Sequence, residues 1–139
     1  MDSPLGVYPL FTAAGGHCLD VVKGVNREQM RFTFDNGNFL LGGDQPMAVF
    51  DALYPYTSHV HIKDFALREP DGKPSLSAPD GTPYKGCMIG DGAAQVRECV
   101  TKLKQVGYDG WVSIEVGGGD VVAQAVEGAQ VIIEAREQA

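Results

Sequence analysis

The sequence predicts an α/β fold of parallel strands joined by helical crossovers, with one face of the sheet polar. Three observations lead there. Helical and strand-like hydrophobic periods alternate along the chain. Three strand-like segments carry polar side chains in one shared register. The 139 residues, 44% hydrophobic and 21% charged, are enough for one packed domain spanning residues 1–139.

Taken in order, Cys18, Val21, Val22 and Val25 recur at helical spacing. Met30, Phe32 and Phe34 alternate with Arg31, Thr33 and Asp35, the period of a strand. Asp44 is a candidate N-cap for a helix carrying Met47, Phe50, Leu53 and Tyr54, and Pro46 is tolerated in its first turn. A second strand runs from Thr57 to Lys63. Residues 65 to 92 are rich in Pro and Gly and hold two Pro-Asp-Gly turns, at Pro70–Pro74 and Pro79–Pro83. This segment reads as a functional excursion without a long helix. Val96, Cys99, Val100 and Leu103 mark a third helix, which Gly107 ends as a left-handed cap. Trp111 to Val116 is a third strand, and Val122, Ala125, Val126, Ala129 and Ile133 mark a final helix. Such alternation implies parallel strands with helical crossovers.

Charge excludes some functions. Lys and Arg number 11 against 18 Asp and Glu, a net charge of −7. An acidic chain without a basic cluster does not suit nucleic acid, whose phosphates call for grouped cations. No apolar run approaches the ~18 residues of a membrane span. The N-terminus lacks the basic-then-apolar layout of a signal peptide. Cys18, Cys87 and Cys99 are odd in number and form no CxxC, which argues for a reducing, cytoplasmic setting. Each reads first as a buried thiol acting as a small hydrophobe.

The polar register carries the chemistry. Phe32 and Phe34 face away from Arg31, Thr33 and Asp35; Val60 and Ile62 away from His59, His61 and Lys63; Val112, Ile114 and Val116 away from Trp111, Ser113 and Glu115. In an open doubly wound sheet both faces would be apolar. One polar face suits the interior of a (β/α) barrel near its C-terminal mouth, where strand ends build sites. Asp35, His61 and Glu115 close that register on the three strands. One imidazole and two carboxylates suit Mn²⁺, Mg²⁺, Co²⁺ or Zn²⁺. Taken singly, each has a plainer reading: a turn or cap aspartate, a satisfied core histidine, an ion-paired glutamate.

The segments Phe34-Asp35-Asn36-Gly37-Asn38, His59-Val60-His61-Ile62-Lys63-Asp64, Gly90-Asp91-Gly92 and Ser113-Ile114-Glu115 resemble the xylose isomerase-like TIM-barrel superfamily. The nearest branch is the sugar phosphate isomerase/epimerase group. The resemblance implies a partial (β/α) TIM barrel, the C-terminal half, with strands corresponding to barrel strands six to eight. It implies one divalent metal held by Asp35, His61 and Glu115, with Glu115 also catalytic in proton transfer α to a carbonyl. It implies substrate contacts from Asn38, His59, Lys63 and Arg68, and a sugar or sugar phosphate as substrate. Asn38 stands where the family's DxxH has its histidine. The family's strand-five glutamate belongs about thirty residues before Asp35, where only Asp2 is acidic, so a fourth ligand is not assigned. The chain is expected to be a fragment lacking strands one to five, inactive alone and dimeric, since a half-barrel leaves its sheet edges unpaired. The alternatives are a non-catalytic metal- or carbohydrate-binding half-barrel, a dehydratase, and, less favoured by charge, an endonuclease IV-like DNA repair enzyme.

Overall fold

The computed structural model describes residues 6–7, 15–68, 76–117 and 120–139. In chain order the first elements are β1 (Gly6–Val7), α1 (Gly15–Val25), β2 (Arg31–Asp35), α2 (Asn36–Leu41), α3 (Pro46–Leu53) and β3 (Thr57–Ile62). There follow β4 (Phe65–Leu67), β5 (Leu76–Ser77), β6 (Pro83–Gly86), α4 (Val96–Gln105), β7 (Val112–Ile114) and α5 (Val121–Gln138). Strands β1–β2–β3–β7 pair in that order, all parallel. Among the described residues this sheet does not close on itself.

The apolar face of the sheet makes the core. Phe32, Phe34, Val60 and Ile62 are buried with Cys18, Val22, Phe39, Phe50, Leu53, Val96, Cys99 and Leu103 from the helices. Phe34 meets Phe39 at 5.3 Å and Phe50 edge-on at 5.1 Å between ring centroids, the tilted geometries aromatic quadrupoles prefer. Cys18, Cys87 and Cys99 are free thiols, the first and last buried. Burial pushes the Cys99 thiol up to about 12, which suits a packing residue rather than a nucleophile.

Several local expectations need correction. A fourth parallel strand, β1, flanks β2, where two residues between prolines gave no periodic signal. Asp44 does not cap α3: the N-cap is Gln45, without a side-chain cap bond. The Asp44 carboxylate instead accepts the Gly15 N–H at 2.5 Å, across 29 residues, at the start of α1. The strand reading of 57–63 ends at Ile62, and that of 111–116 shrinks to Val112–Ile114. The 65–92 segment has no helix among its described residues but does carry order: β4, β6 and β5 form an antiparallel sheet. The turn at 79–83 joins β5 to β6, with Gly81 at φ +89° and its N–H bonded to Ala78 O. The turn at 70–74 lies outside the described residues. Gly107 does end α4, at φ +72°.

Helix α5 exists as expected, yet it buries a different stripe. Gly128 and Ala135 are its buried positions, while Val122, Val126 and Ile133 are exposed. No described helix is long and apolar enough to cross a membrane.

Candidate metal centre

Register places the three residues together. Asp35 lies directly opposite His61 across the β2–β3 ladder, and His61 opposite Ser113 across β3–β7. Glu115 stands two residues past Ser113, on the same side of the pleat, and its N–H still bonds Ile62 O at 2.9 Å. Ligand atoms of Asp35, His61 and Glu115 fall within 4.8 Å of one another. His61 Nδ1 stands 3.7 Å from Asp35 Oδ2 and 2.5 Å from Glu115 Oε1.

Lys63 completes the cluster. Its ammonium bonds Asp35 Oδ2 at 3.1 Å, Asn38 Oδ1 at 3.3 Å and the Glu115 carboxylate. Gly37 makes that reach possible, since a Cβ there would come within 2.2 Å of Lys63 Cγ. Burial pulls the Lys63 ammonium down, but bonds and charges from Glu115 and Asp35 outweigh it and leave the pKa raised. Burial likewise acts upward on Glu115, and Lys63 with His61 more than reverses it, so the Glu115 carboxyl sits lower than usual. Asp35 is fully buried and goes the other way. Desolvation pushes it up, and Lys63 and the Asn38 N–H recover only part of that cost.

Asp35 is also the N-cap of α2, accepting the Asn38 N–H at Oδ1 (2.9 Å) and the Asn38 side-chain amide at Oδ2 (2.8 Å). The cap reading and the ligand reading therefore coexist, because the cap fixes the rotamer. Asn38 is buried, with its amide engaged by Asp35 and Lys63. His59 lies one layer deeper, its Nε2 2.9 Å from Ser113 Oγ, and burial, with His61 beside it, lowers its pKa. Arg68 belongs to the second sheet, one residue past β4, with its N–H on Pro83 O. An open cleft of about 270 Å³ adjoins the cluster, lined in part by Lys63, Phe65, Cys87 and Glu115.

Two further residues position the site without any period or spacing to flag them. Buried Asn36 accepts the Lys63 N–H at 3.0 Å and donates to Ala94 O at 2.7 Å. Buried Asp64 accepts four backbone N–H groups, from Phe65, Gly90, Gly92 and Ala94, at 2.9–3.0 Å. A Cβ on Gly92 would lie 2.2 Å from Asp64 Oδ1, which explains a glycine in Gly90-Asp91-Gly92. The signal for Asp64 was its place two residues past the end of β3, directly after the expected strand Thr57 to Lys63.

The donor set fits a divalent ion. Ligands on one ion at ~2.1 Å stand at most ~4.2 Å apart; the Asp35–His61 pair, at 3.7 Å, meets that, and the full set, within 4.8 Å, would close by a small side-chain adjustment. A cation would also supply the compensation that the buried Asp35 carboxylate lacks.

A parallel sheet whose polar inner face converges on an Asp, a His and a Glu at its C-terminal edge defines a (β/α)-barrel-type protein. The chain belongs to the xylose isomerase-like TIM barrel family, whose model matches residues 6–135. It is similar to the inosose dehydratase of Lacticaseibacillus casei, 28% identical over 91 residues, 63% of this chain and 30% of that protein. A Streptomyces coelicolor protein carrying the name hydroxypyruvate isomerase is 29% identical over 117 residues, 81% of this chain and 35% of its own. A solved xylose isomerase-like TIM barrel protein of Mycobacterium smegmatis, in complex with magnesium, overlays with a TM-score of 0.70 at 17% identity. That overlay covers 90% of this chain and 40% of the solved one. The chain thus spans about a third of the length of the curated relatives it matches.

Proposed function

We propose that this chain holds the metal centre of an enzyme that moves a proton α to the carbonyl of a sugar or sugar phosphate. The carrying observation is the convergence of Asp35, His61 and Glu115 within 4.8 Å at adjacent strand ends, beside an open cleft. Asp35, His61 and Glu115 would hold one divalent ion, leaving coordination positions open. When bound, such an ion polarises the substrate's oxygens. The chain's own residues do the rest. Glu115, 41% exposed and facing the cleft, takes the proton from the carbon next to the carbonyl. The electron pair moves toward the carbonyl oxygen, and the Lys63 ammonium is placed to donate to it. Returning the proton to the neighbouring carbon, with that carbon's former carbonyl oxygen keeping a proton and the other hydroxyl giving one up, isomerises; returning it to the other face of the same carbon epimerises; passing it to a departing β-hydroxyl, which leaves as water, dehydrates. All three share the first step, in keeping with relatives named for dehydration and isomerisation.

The second reading is a half-barrel that binds metal or carbohydrate without turnover. It is favoured by the lack of any Asp or Glu between Asp2 and Asp20, the stretch that leads into and out of β1. A second carboxylate is worth ~10²–10⁴-fold as acid or base.

The test is equilibrium dialysis with Mn²⁺, Mg²⁺, Co²⁺ or Zn²⁺, followed by proton–deuterium exchange into a panel of ketoses, ketose phosphates and inososes. The expected result is metal retention with slow exchange at the α carbon and no complete epimerisation. Glu115→Gln should abolish the exchange and Asp35→Asn should weaken metal retention. Retention without exchange selects the binding-only reading. Neither retention nor exchange overturns both.

A further inference from the structure

We propose that the pocket where α1 hands over to β2 binds a phosphate group, free or as a small phosphomonoester, through Lys23, Arg27 and Arg31. The inference stands apart from the metal reading. β2 begins at Arg31 and ends at Asp35, and at ~3.3 Å per residue the two sites lie about 13 Å apart, at opposite ends of that strand.

Two turns build the pocket. Asn26, at φ +47°, leaves α1 with its N–H still on Val22 O at 3.2 Å, in the left-handed conformation that often closes a helix. The Met30 N–H on Arg27 O, at 3.0 Å, then turns the chain into β2. Lys23 comes from the last turn of α1, Arg27 from the connection and Arg31 from the first position of β2. All three line one open pocket of about 230 Å³. Tyr56 lines it too, set beside Arg31 by the pairing of Phe32 with Thr57. Sites for drug-sized ligands start near ~300 Å³, so this one suits a phosphate group with a few carbons at most. A spacing of four leaves no basic run in the sequence, and the turns gather what the spacing hides.

Charge names the ligand. The chain has 11 Lys and Arg against 18 Asp and Glu, yet among the described residues no carboxylate pairs with Lys23, Arg27 or Arg31. Partners are within reach. Asp20 precedes Lys23 by three positions on α1, where side chains are neighbours, and Glu28 itself lines the pocket. Lys63 and Lys102, by contrast, are paired. The carbonyl end of α1 offsets about half a unit of positive charge, and Glu28 offsets one more. The three cations are left in surplus by roughly 1.5 units, and a phosphomonoester carries about −1.5 to −2 at pH 7. Guanidinium forks bond phosphate oxygens in pairs, and the ammonium adds a point charge. Three cations cover one phosphate group, not the run of phosphates that a nucleic acid presents.

The chain, freed of divalent metal, is titrated with sodium phosphate and followed by ¹H–¹⁵N NMR, with NaCl at equal ionic strength as the control. The expected result is a saturable shift of the amides of residues 23–31 and of the Arg27 and Arg31 Nε–H signals, with the amides of Asp35, His61 and Glu115 unmoved. Glucose 6-phosphate and glucose form a second arm. Ester binding at least as tight as inorganic phosphate assigns the pocket to a phosphorylated metabolite, and weaker ester binding assigns it to free phosphate; glucose should not bind. Arg27→Gln and Arg31→Gln should each weaken phosphate at least about tenfold, through loss of a charge-assisted contact. Lys102→Gln, which removes a paired cation, should leave binding unchanged. Arg27 and Arg31 are exposed, so their variants keep the fold, which circular dichroism checks. Shifts that do not saturate, that chloride reproduces, that survive both arginine substitutions or that centre on Lys63 would overturn the proposal. Tighter binding of a single-stranded oligonucleotide than of phosphate would overturn it too, by making this a nucleic-acid surface.

Discussion

Lys63 is the residue on which the cluster turns. Its ammonium stands between Asp35 and Glu115 in the role a metal would take, and the stem threads past Gly37 to get there. Removing one partner of a buried ion pair costs about 3–5 kcal/mol, and the partial exposure of Glu115 lowers that here to about 2–4 kcal/mol. Lys63→Met should lose that much in urea denaturation without metal. The same change should raise Mn²⁺ affinity at least about tenfold by calorimetry, because a positive charge beside a divalent ion is repelled even at an effective dielectric of ~20. Gly37→Ala should move both quantities the same way, less far, by pushing the lysine stem aside. A Lys63→Met chain that binds Mn²⁺ more weakly would show that the lysine orients the ligands rather than competing. The three strand-end residues were legible in the sequence because period-two alternation fixes which side chains share a face. The bonds of Asn38 and Asn36 were not, since an amide's partner depends on where the chain returns in space.

At the scale of elements, Asp64 does for the loop before α4 what the strands do for the ligands. Four backbone N–H groups converge on one buried carboxylate, and Gly90 at φ +94° and Gly92 without a Cβ let them approach. Each donor left unsatisfied costs about 1–3 kcal/mol. Asp64→Ala should therefore lower stability by more than about 3 kcal/mol and release the amides of residues 90–94 to fast hydrogen exchange. If exchange there stays slow, the loop is held by helix packing instead. Long periodic elements such as α3, α4 and β3 were legible because a buried face repeats often enough to show. β1 and α2 were not: two residues and six residues are too short for a period, and α2 is buried on every side. The α5 stripe misled for another reason. The strongest valine repeat is the face left bare, and the buried one is marked by small residues, Gly128 and Ala135; a Cβ at Gly128 would come within 2.9 Å of Ile89 and 3.7 Å of Ile114.

For the whole molecule, charge opposes the association that shape invites. Each copy carries −7, and self-association would bring two such chains, each holding Asp35 and Glu115, together. The exposed Val122, Val126 and Ile133 of α5 are apolar, so for an association through them added salt has little attraction to screen and much repulsion. The Debye length falls from ~10 Å at 0.1 M to ~3 Å at 1 M, so the dissociation constant should fall as NaCl is raised. Mn²⁺ should tighten the dimer beyond an equal ionic strength of NaCl, because it neutralises the inner carboxylates directly. Linkage makes this reciprocal: whatever factor Mn²⁺ adds to dimerisation, dimerisation adds to Mn²⁺ binding. Sedimentation equilibrium at low and high NaCl, with and without Mn²⁺, separates the two effects. Asp35→Asn should keep the salt response and lose the metal response. Association that weakens with salt would mean that ion pairs hold the copies together, and that the exposed Val122, Val126 and Ile133 of α5 are not what joins them.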